Sequence, residues 1–214
     1  MCNEVRRTVA LGKIRDDFSF TRIPLRFPEG LPNLAPLDSI RITDANAIIR
    51  AAGDEGGAAE TDAPRSAGAP AAAELVVRRW SWPGAGGKPV YNFRSEGREF
   101  GNSSRGGRCL VVVDGFYEFT APADPRQKRK DKWLFTKPGE SWFCIAGLWR
   151  ADPQVGEAFT LLTTAPGPDV APYHSRQIAV LHRADWTSWL DPSVPAPDLL
   201  KPLVAGSLAV EQVA

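Results

Sequence analysis

The sequence contains little of what metal centres and disulfide frameworks are made from. It has two histidines and three cysteines among 214 residues, and no Cys-x-x-Cys pair. Structural zinc sites need closely spaced Cys and His ligands, and an odd number of scattered cysteines does not build a disulfide framework. We therefore expect no metal site. Cys109 and Cys144 each lie in an apolar run, which is typical of inert core residues.

Long apolar runs are also missing. None approaches the roughly 18 residues that a membrane-spanning helix needs. The N-terminal sequence MCNEVRRTVALGKI has no apolar core of signal-peptide length, so we expect a cytoplasmic protein without membrane contact. The hydrophobic share of 43% is ordinary for a soluble globular protein, and the length favours one domain over residues 1–214.

The chain lacks a strong charge of either sign, because 26 basic residues face 25 acidic ones. The distribution is less even. Residues 75–110 hold seven basic and two acidic residues. Such a patch can bind phosphates, although a charge run is more often a solvated face. The RQKRKDK run in the basic loop Ala121–Lys132 is expected to be solvated in the same way.

Residues 51–74 are of low complexity, rich in alanine, glycine, proline and acidic residues. This composition predicts a flexible surface insertion rather than a linker between domains.

The most informative stretch is Arg108–Phe119, RCLVVVDGFYEF. Its run from Cys109 to Val113 is apolar on both faces, which predicts a central strand covered on both sides. Asp114-Gly115 breaks the run. Glu118 then follows as a carboxylate among aromatic residues, where an unpaired charge would cost several kcal/mol. Both a salt-bridged core glutamate and a functional carboxylate fit this pattern.

Cys2 follows the initiator methionine directly. A small second residue permits removal of Met1, which would leave an amine and a thiol on adjacent carbons. The α-amine has a reference pKa of about 7.7–8.0, so part of it is neutral at physiological pH. An aldehyde condenses with such an amine to an imine, and the thiol then closes a thiazolidine ring. A frayed, exposed position 2 is the plainer alternative.

Most of the remaining pattern predicts short strands, among them Thr8–Lys13, Phe18–Arg26, Leu75–Trp82 and a closing strand at Ser207–Val213. Asp185–Asp191 reads as a short helix that Pro192 ends. Many strands with few short helices predict an α+β domain with a mainly antiparallel, partly closed, barrel-like sheet.

The motifs resemble those of the SOS response associated peptidase family (SRAP), whose members process abasic sites in single-stranded DNA. The matches run in order along nearly the whole chain: Met-Cys at Cys2, Asn33–Pro36, Asn92–Glu96, Arg108–Phe119, Ala146–Trp149, Thr163-Thr164, Ala171–Arg176 and Trp189–Pro192. One departure is that Asn3-Glu4 stands where the family usually has Gly-Arg.

The resemblance implies that Cys2 forms a covalent thiazolidine crosslink with an abasic site, in the DNA damage response. It implies that Glu118 is the base beside the amine and that His174 serves the sugar oxygen. Asn92 would orient the aldehyde-derived oxygen. The resemblance also implies that the reaction needs no metal and no organic cofactor.

Five further residues are expected to contact DNA. By the same resemblance, Arg94 and Arg176 would hold phosphates, while Trp80 or Trp82 would stack a base, although tryptophan is more often a core residue. Arg79 is the fifth.

The implied protein is a monomeric thiol (auto)peptidase or crosslinking protein of the nucleoid, with possible abasic-site lyase activity. Two other functions stay open. One is an N-terminal cysteine peptidase or amidohydrolase, and the other is a non-catalytic module that binds single-stranded DNA.

Overall fold

The computed structural model describes residues 2–53, 68–124 and 126–213. Within these ranges the chain forms mostly strands, joined by a few short helices and 3-10 turns. The strands are β1 (Glu4–Arg7), β2 (Leu25–Arg26), β3 (Leu37–Arg41), β4 (Ala45–Ala51), β5 (Ala73–Trp80), β6 (Trp82–Pro83), β7 (Pro89–Val90), β8 (Asn92–Arg94), β9 (Gly106–Val113), β10 (Gly115–Thr120), β11 (Asp131–Thr136), β12 (Phe143–Asp152), β13 (Gly156–Thr164), β14 (Gln177–Ile178), β15 (Val180–Leu181) and β16 (Ala209–Gln212). The helices are α1 (Leu11–Phe18), α2 (Trp186–Leu190) and α3 (Ala196–Leu199), and the 3-10 turns are Ser19–Thr21, Ala85–Gly87 and Arg183–Asp185.

Five of the strands close into a barrel. The antiparallel pairs β5–β4, β4–β9, β9–β12 and β12–β13 form a continuous sheet. A short parallel pairing of β13 with β5 then joins the two ends, with Phe159 opposite Trp80. The predicted fold class is therefore confirmed as a mainly antiparallel, barrel-like sheet with few short helices.

The central strand β9 is apolar on both faces because each face meets a different cluster. Cys109, Val111 and Val113 join the cluster to which all five barrel strands contribute. Leu110 and Val112 belong to a second cluster, which includes residues of α1 and α2. The central strand predicted from the sequence is thus confirmed, and neither of its faces is exposed to solvent.

A second antiparallel sheet carries the N-terminus, in the order β3-β1-β10-β11-β16. It is joined to the barrel directly, since β10 follows β9 after the single residue Asp114. The predicted break in the apolar run is confirmed at this position.

Two predicted strands are wrong in the N-terminal region. Leu11–Phe18 is a helix, and only Leu25–Arg26 of the stretch Phe18–Arg26 is a strand. The helix buries Ile14 and Phe18, four residues apart, which is a helical period. Such short apolar patterns do not distinguish helix from strand by themselves. The predicted helix at Asp185–Asp191 is confirmed as α2.

The predicted insertion at residues 51–74 needs narrower bounds. Ala51 ends β4, and the backbone N–H of Ala52 donates to the carbonyl oxygen of Ala72. Ala73 and Glu74 begin β5. Residues 54–67 lie outside the described part of the chain. Among the residues that the structure does describe, no helix is long and apolar enough to cross a membrane.

Candidate active site

Cys2 is held between two strands that belong to different sheets. Its carbonyl oxygen accepts a 2.7 Å hydrogen bond from the side-chain amide of Asn92 in β8. Its backbone N–H donates to the carboxylate of Glu118 in β10. The residue is 1% exposed. The structure therefore brings together three of the four predicted catalytic residues and overturns the alternative of a frayed position 2.

The start of the chain is fixed by β1 and by a buried carboxylate. β1 pairs with β10, with Val5 opposite Phe116. Asp114, between β9 and β10, binds the two residues that follow β1. It accepts hydrogen bonds from the Thr8 hydroxyl at 2.7 Å and from the Val9 backbone N–H at 3.0 Å. It also pairs with Arg6 Nε at 2.6 Å. These bonds set how the chain enters β1, and hence where Cys2 lies against β10.

Burial controls the ionisation of both groups at this position. It raises the pKa of the Glu118 carboxyl to about 7, against the lowering effect of the Cys2 backbone N–H. It also raises the pKa of the Cys2 thiol well above its ordinary value, and the nearby Glu118 charge adds to this effect. A carboxyl that titrates near neutral pH suits proton transfer. The Cys2 thiol stays protonated, because burial raises its pKa well above physiological pH.

His174 lies in a segment that reaches across from β11 to the β8 side. The Tyr173 ring packs on Trp133 in β11, with centroids 4.7 Å apart. Trp133 is the residue paired with Glu118. At the other end, Arg176 bonds Glu96, just beyond β8. The segment therefore connects the two sides of the Cys2 site.

The ring of His174 is oriented by its own segment. Its Nδ1 accepts a 3.0 Å hydrogen bond from the backbone N–H of Arg176. Nδ1 also lies 3.2 Å from the carbonyl oxygen of Arg176, to which only a protonated Nδ1 donates. The shorter contact, in which Nδ1 accepts, favours the neutral tautomer with its proton on Nε2. Partial burial lowers the pKa of His174, and the charge of Lys130 contributes to the lowering.

The two arginines predicted to hold phosphates differ in their surroundings. Arg94 is exposed at the end of β8, opposite Thr163 of β13. The guanidinium of Arg176 is instead bound by both Glu96 carboxylate oxygens, and its Nη2 also donates to the Thr163 hydroxyl at 2.9 Å. The Glu96 carboxylate thus forms the bidentate pair with Arg176 that the sequence analysis predicted for a DNA phosphate.

The predicted base-stacking role of the tryptophans needs correction. Trp80 is fully buried, stacks on Phe159 and donates its Nε1–H to the carbonyl oxygen of Tyr91 at 2.8 Å. Trp82 is also buried, and the Arg150 guanidinium covers its ring at 4.5 Å. Both indoles fill the barrel and its rim, so neither offers a free face to a base.

Arg79 is half-buried beside them. Its Nη1 donates to the Thr43 carbonyl oxygen at 3.4 Å. Its Nε is buried without a hydrogen-bond partner among the described residues.

Sequence reasoning missed one pair beside the site. Glu4 is buried and binds Lys132 Nζ at 2.7 Å. The same ammonium lies 3.8 Å from the centre of the Tyr117 ring. The acid in the usual arginine position is thus neutralised by Lys132 of β11, a residue that the sequence predicted to end a solvated basic loop. The sequence predicted no strand at residues 4–7, so nothing in it indicated that Glu4 would be buried and would need a cationic partner.

Comparison with known families identifies the family of this chain. The family model described as "SOS response associated peptidase (SRAP)" matches residues 1–214. The chain belongs to the SRAP family. Membership links it to the SOS response to DNA damage and implies an interaction with DNA. No sequence among the curated proteins matches it.

Solved structures share the SRAP fold of this chain. A crystal structure of a protein from Bordetella bronchiseptica is 19% identical with a TM-score of 0.66, and each chain covers 100% of the other. One from Bacteroides thetaiotaomicron is 15% identical with a TM-score of 0.67, covering 100% of this chain and 92% of that one. A phage-related protein from Bordetella bronchiseptica is 19% identical with a TM-score of 0.67, covering 99% and 94%. At these identities the likeness concerns the fold.

Proposed function

We propose that this protein captures abasic sites in single-stranded DNA as a covalent thiazolidine on Cys2, after removal of Met1. The observation that carries the proposal is the convergence of Asn92 and Glu118 on the backbone of Cys2. The two groups hold the residue whose amine and thiol would both react. A buried structural cysteine would need neither of them.

The reaction balances with the loss of one water. The free amine of Cys2 adds to the C1′ aldehyde of the ring-opened abasic sugar and forms a carbinolamine. Loss of water gives an imine, and the thiol sulfur then adds to the imine carbon while the nitrogen takes up a proton. The ring closes with one C–N and one C–S bond to the same carbon.

Each polar group has one task in this sequence. Glu118, with a pKa of about 7, accepts a proton from the ammonium of Cys2 and returns one when the carbinolamine loses water. His174 presents Nε2–H to the ring oxygen of the closed sugar, because Nδ1 is engaged by Arg176. Asn92 keeps the Cys2 carbonyl in place and so orients the aminothiol.

The same imine also leads to a second reaction, the abasic-site lyase reaction. The imine acidifies the C2′–H bond, so that a base can remove this proton and expel the 3′-phosphate. That elimination cleaves the strand and competes with closure of the thiazolidine ring.

The test combines the mass of the protein with the mass of its adduct. We expect purified protein to lack Met1 and to gain the mass of an abasic single-stranded oligonucleotide less one water. Cys2→Ala and Cys2→Ser should each give no heat-stable adduct, whereas Cys144→Ala, which removes another buried cysteine, should keep it. A heat-stable adduct with Cys2→Ala would sink the thiazolidine mechanism.

The same experiment separates the other two functions. A peptidase or amidohydrolase would cleave an amide substrate in a Cys2-dependent manner and form no adduct with the oligonucleotide. A binding module would retain oligonucleotide affinity in Cys2→Ala and show no adduct with the parent protein.

A further inference from the structure

The loop between β10 and β11 presents four basic side chains to solvent. We refer to Arg126, Lys128, Arg129 and Lys130 as the cationic hairpin loop, and each is exposed. Arg126 pairs with Asp124, but both side chains are so exposed that the pair contributes little. The other three form no ion pair with any residue in the described ranges. The loop therefore carries positive charge that the protein itself leaves almost uncompensated.

The loop lies beside the Cys2 site. Its hairpin is closed by the pairing of Thr120 with Asp131, two residues beyond Glu118. At about 3.3 Å per strand residue, the base of the loop is only about 7 Å from Glu118 along the strand. Lys130 is close enough for its charge to act on His174, which faces the site from another element.

The conformation of the loop is supported from within. The side-chain amide of Gln127 donates to the Arg129 carbonyl oxygen at 3.0 Å and to Asp131 Oδ1 at 3.1 Å. A loop braced in this way loses less conformational entropy when it binds a ligand.

Other cations around the site have internal partners. Arg176 is bound to Glu96, Arg6 to Asp114 and Lys132 to Glu4. Arg94, which follows Asn92 by two residues, is exposed at the end of β8, whereas the hairpin loop follows β10, the strand that carries Glu118. Exposed cations thus flank Cys2 on its Asn92 side and on its Glu118 side.

We propose that the cationic hairpin loop binds the phosphodiester backbone of single-stranded DNA on the Glu118 side of Cys2, while Arg94 binds it on the Asn92 side. This inference rests on the proposed function for its choice of ligand. It adds the path that the single-stranded DNA takes across the site, from Arg94 past Cys2 to the cationic hairpin loop. A merely solvated charged face would need neither the closeness to His174 nor the internal bracing.

The test measures salt-dependent binding of an undamaged single-stranded oligonucleotide, which requires no covalent step. One variant combines Lys128→Gln, Arg129→Gln and Lys130→Gln. Its matched control combines Arg15→Gln, Arg22→Gln and Lys201→Gln, which removes the same charge from exposed positions. Arg15 lies on α1 and Lys201 follows α3, and both helices pack in the second core cluster, away from Cys2.

We expect the plot of log affinity against log salt to lose about 0.7 in slope per phosphate contact removed, so about 2 in the loop variant. The control should keep the parental slope, and thermal unfolding should show that both variants are folded. A parental slope in the loop variant, an equal loss in the control, or no binding by the parent protein would each overturn the inference.

The outcome is separate from that of the proposed function. If the parent protein binds with the expected slope but forms no adduct with an abasic oligonucleotide, the covalent mechanism fails and the binding surface stands. If the parent forms the adduct and the loop variant binds with the parental slope, the mechanism stands and the binding surface fails.

Discussion

The side-chain amide of Asn92 donates a 2.7 Å hydrogen bond to the carbonyl oxygen of Cys2, 90 residues earlier in the chain. The bond links a strand paired with the barrel to the first described residue of the protein. Cys2 has no strand of its own to hold it, because β1 begins at Glu4. Its position therefore depends on side chains delivered from elsewhere.

The first prediction is that Asn92→Asp slows adduct formation by about tenfold or more. The substitution keeps the shape but replaces the donor with a second acceptor facing the carbonyl oxygen, and leaving such buried groups unsatisfied costs about 1–3 kcal/mol. Single-turnover rates on an abasic oligonucleotide measure the effect. Asn3→Asp makes the same chemical change at an exposed neighbouring position and should react at the parental rate. A folded Asn92→Asp protein that reacts as fast as the parent would contradict the positioning role.

The second prediction concerns Glu118 as a base. Glu118→Gln keeps the size and polarity of the side chain but cannot accept the proton, so the rate should fall by about 10²–10⁴. The parental rate should rise with pH as the Glu118 carboxyl, whose pKa burial raises, loses its proton. In the variant only the rise that accompanies deprotonation of the Cys2 amine, with a reference pKa of about 7.7–8.0, should remain. Glu211→Gln, at an exposed position on β16, serves as the control. A Glu118→Gln protein with the parental rate and pH profile would remove Glu118 from the mechanism.

The third prediction follows from the same pKa and concerns stability. The folded pKa of Glu118 is raised from 4.5 to about 7, so the native state holds this proton more tightly than the unfolded chain does. The contribution of the group is fully present below pH 4.5 and is lost as the pH rises through 7. At about 1.4 kcal/mol per pKa unit, the loss is on the order of 3 kcal/mol. Denaturant unfolding at a series of pH values should show this decline in the parent and a flatter profile in Glu118→Gln.

The fourth prediction is that Lys130→Gln raises the pKa of His174. The ammonium disfavours a second positive charge on the imidazole, so its removal moves the pKa back towards the ordinary value. An NMR titration of the ring protons measures it directly, since His182 is the only other histidine and provides an internal reference. Lys128→Gln tests whether the effect is specific to the nearer lysine. An unchanged pKa of His174 in Lys130→Gln would show that the charge of the loop does not act on the site.

The fifth prediction addresses the bidentate pair between Arg176 and Glu96. A DNA phosphate must compete with the Glu96 carboxylate for the guanidinium, so Glu96→Gln should tighten binding of single-stranded DNA several-fold. Arg176 keeps its Nη2 bonds to Thr163 in this variant, which holds it near its present position. Fluorescence anisotropy with an undamaged oligonucleotide gives the affinity. Weaker binding would instead mean that Glu96 is needed to present Arg176.

The sequence was sufficient for the parts of the fold that local patterning determines. A short run that is apolar on both faces of a strand predicts a central strand covered on both sides, and β9 is that strand. The break at Asp114 and the short α2 helix were likewise local signals. The N-terminal helix was missed because Ile14 and Phe18 lie in a short pattern that fits more than one period.

The environment of each side chain could not be predicted in the same way. The spacing of Trp80 and Trp82 placed them on one strand face, but only the barrel closure by β13 shows that Trp80 faces the core. The partners of Arg176 and Lys132 lie far from them in sequence and meet them through tertiary pairing. Charge runs tell how much charge there is, whereas the fold decides which cations remain free for a ligand.

The 1% exposure of Cys2 also has a consequence for the order of events during synthesis. The N-terminus leaves the ribosome first, while Asn92, Glu118 and His174 follow much later. The proposed function requires removal of Met1, whereas in the folded protein Cys2 is already bound by side chains of β8 and β10. We therefore expect an aminopeptidase to remove Met1 from the growing chain, before these contacts form. A molecule that folds with Met1 in place would then form no adduct, so the rate of Met1 removal would set the fraction of active protein.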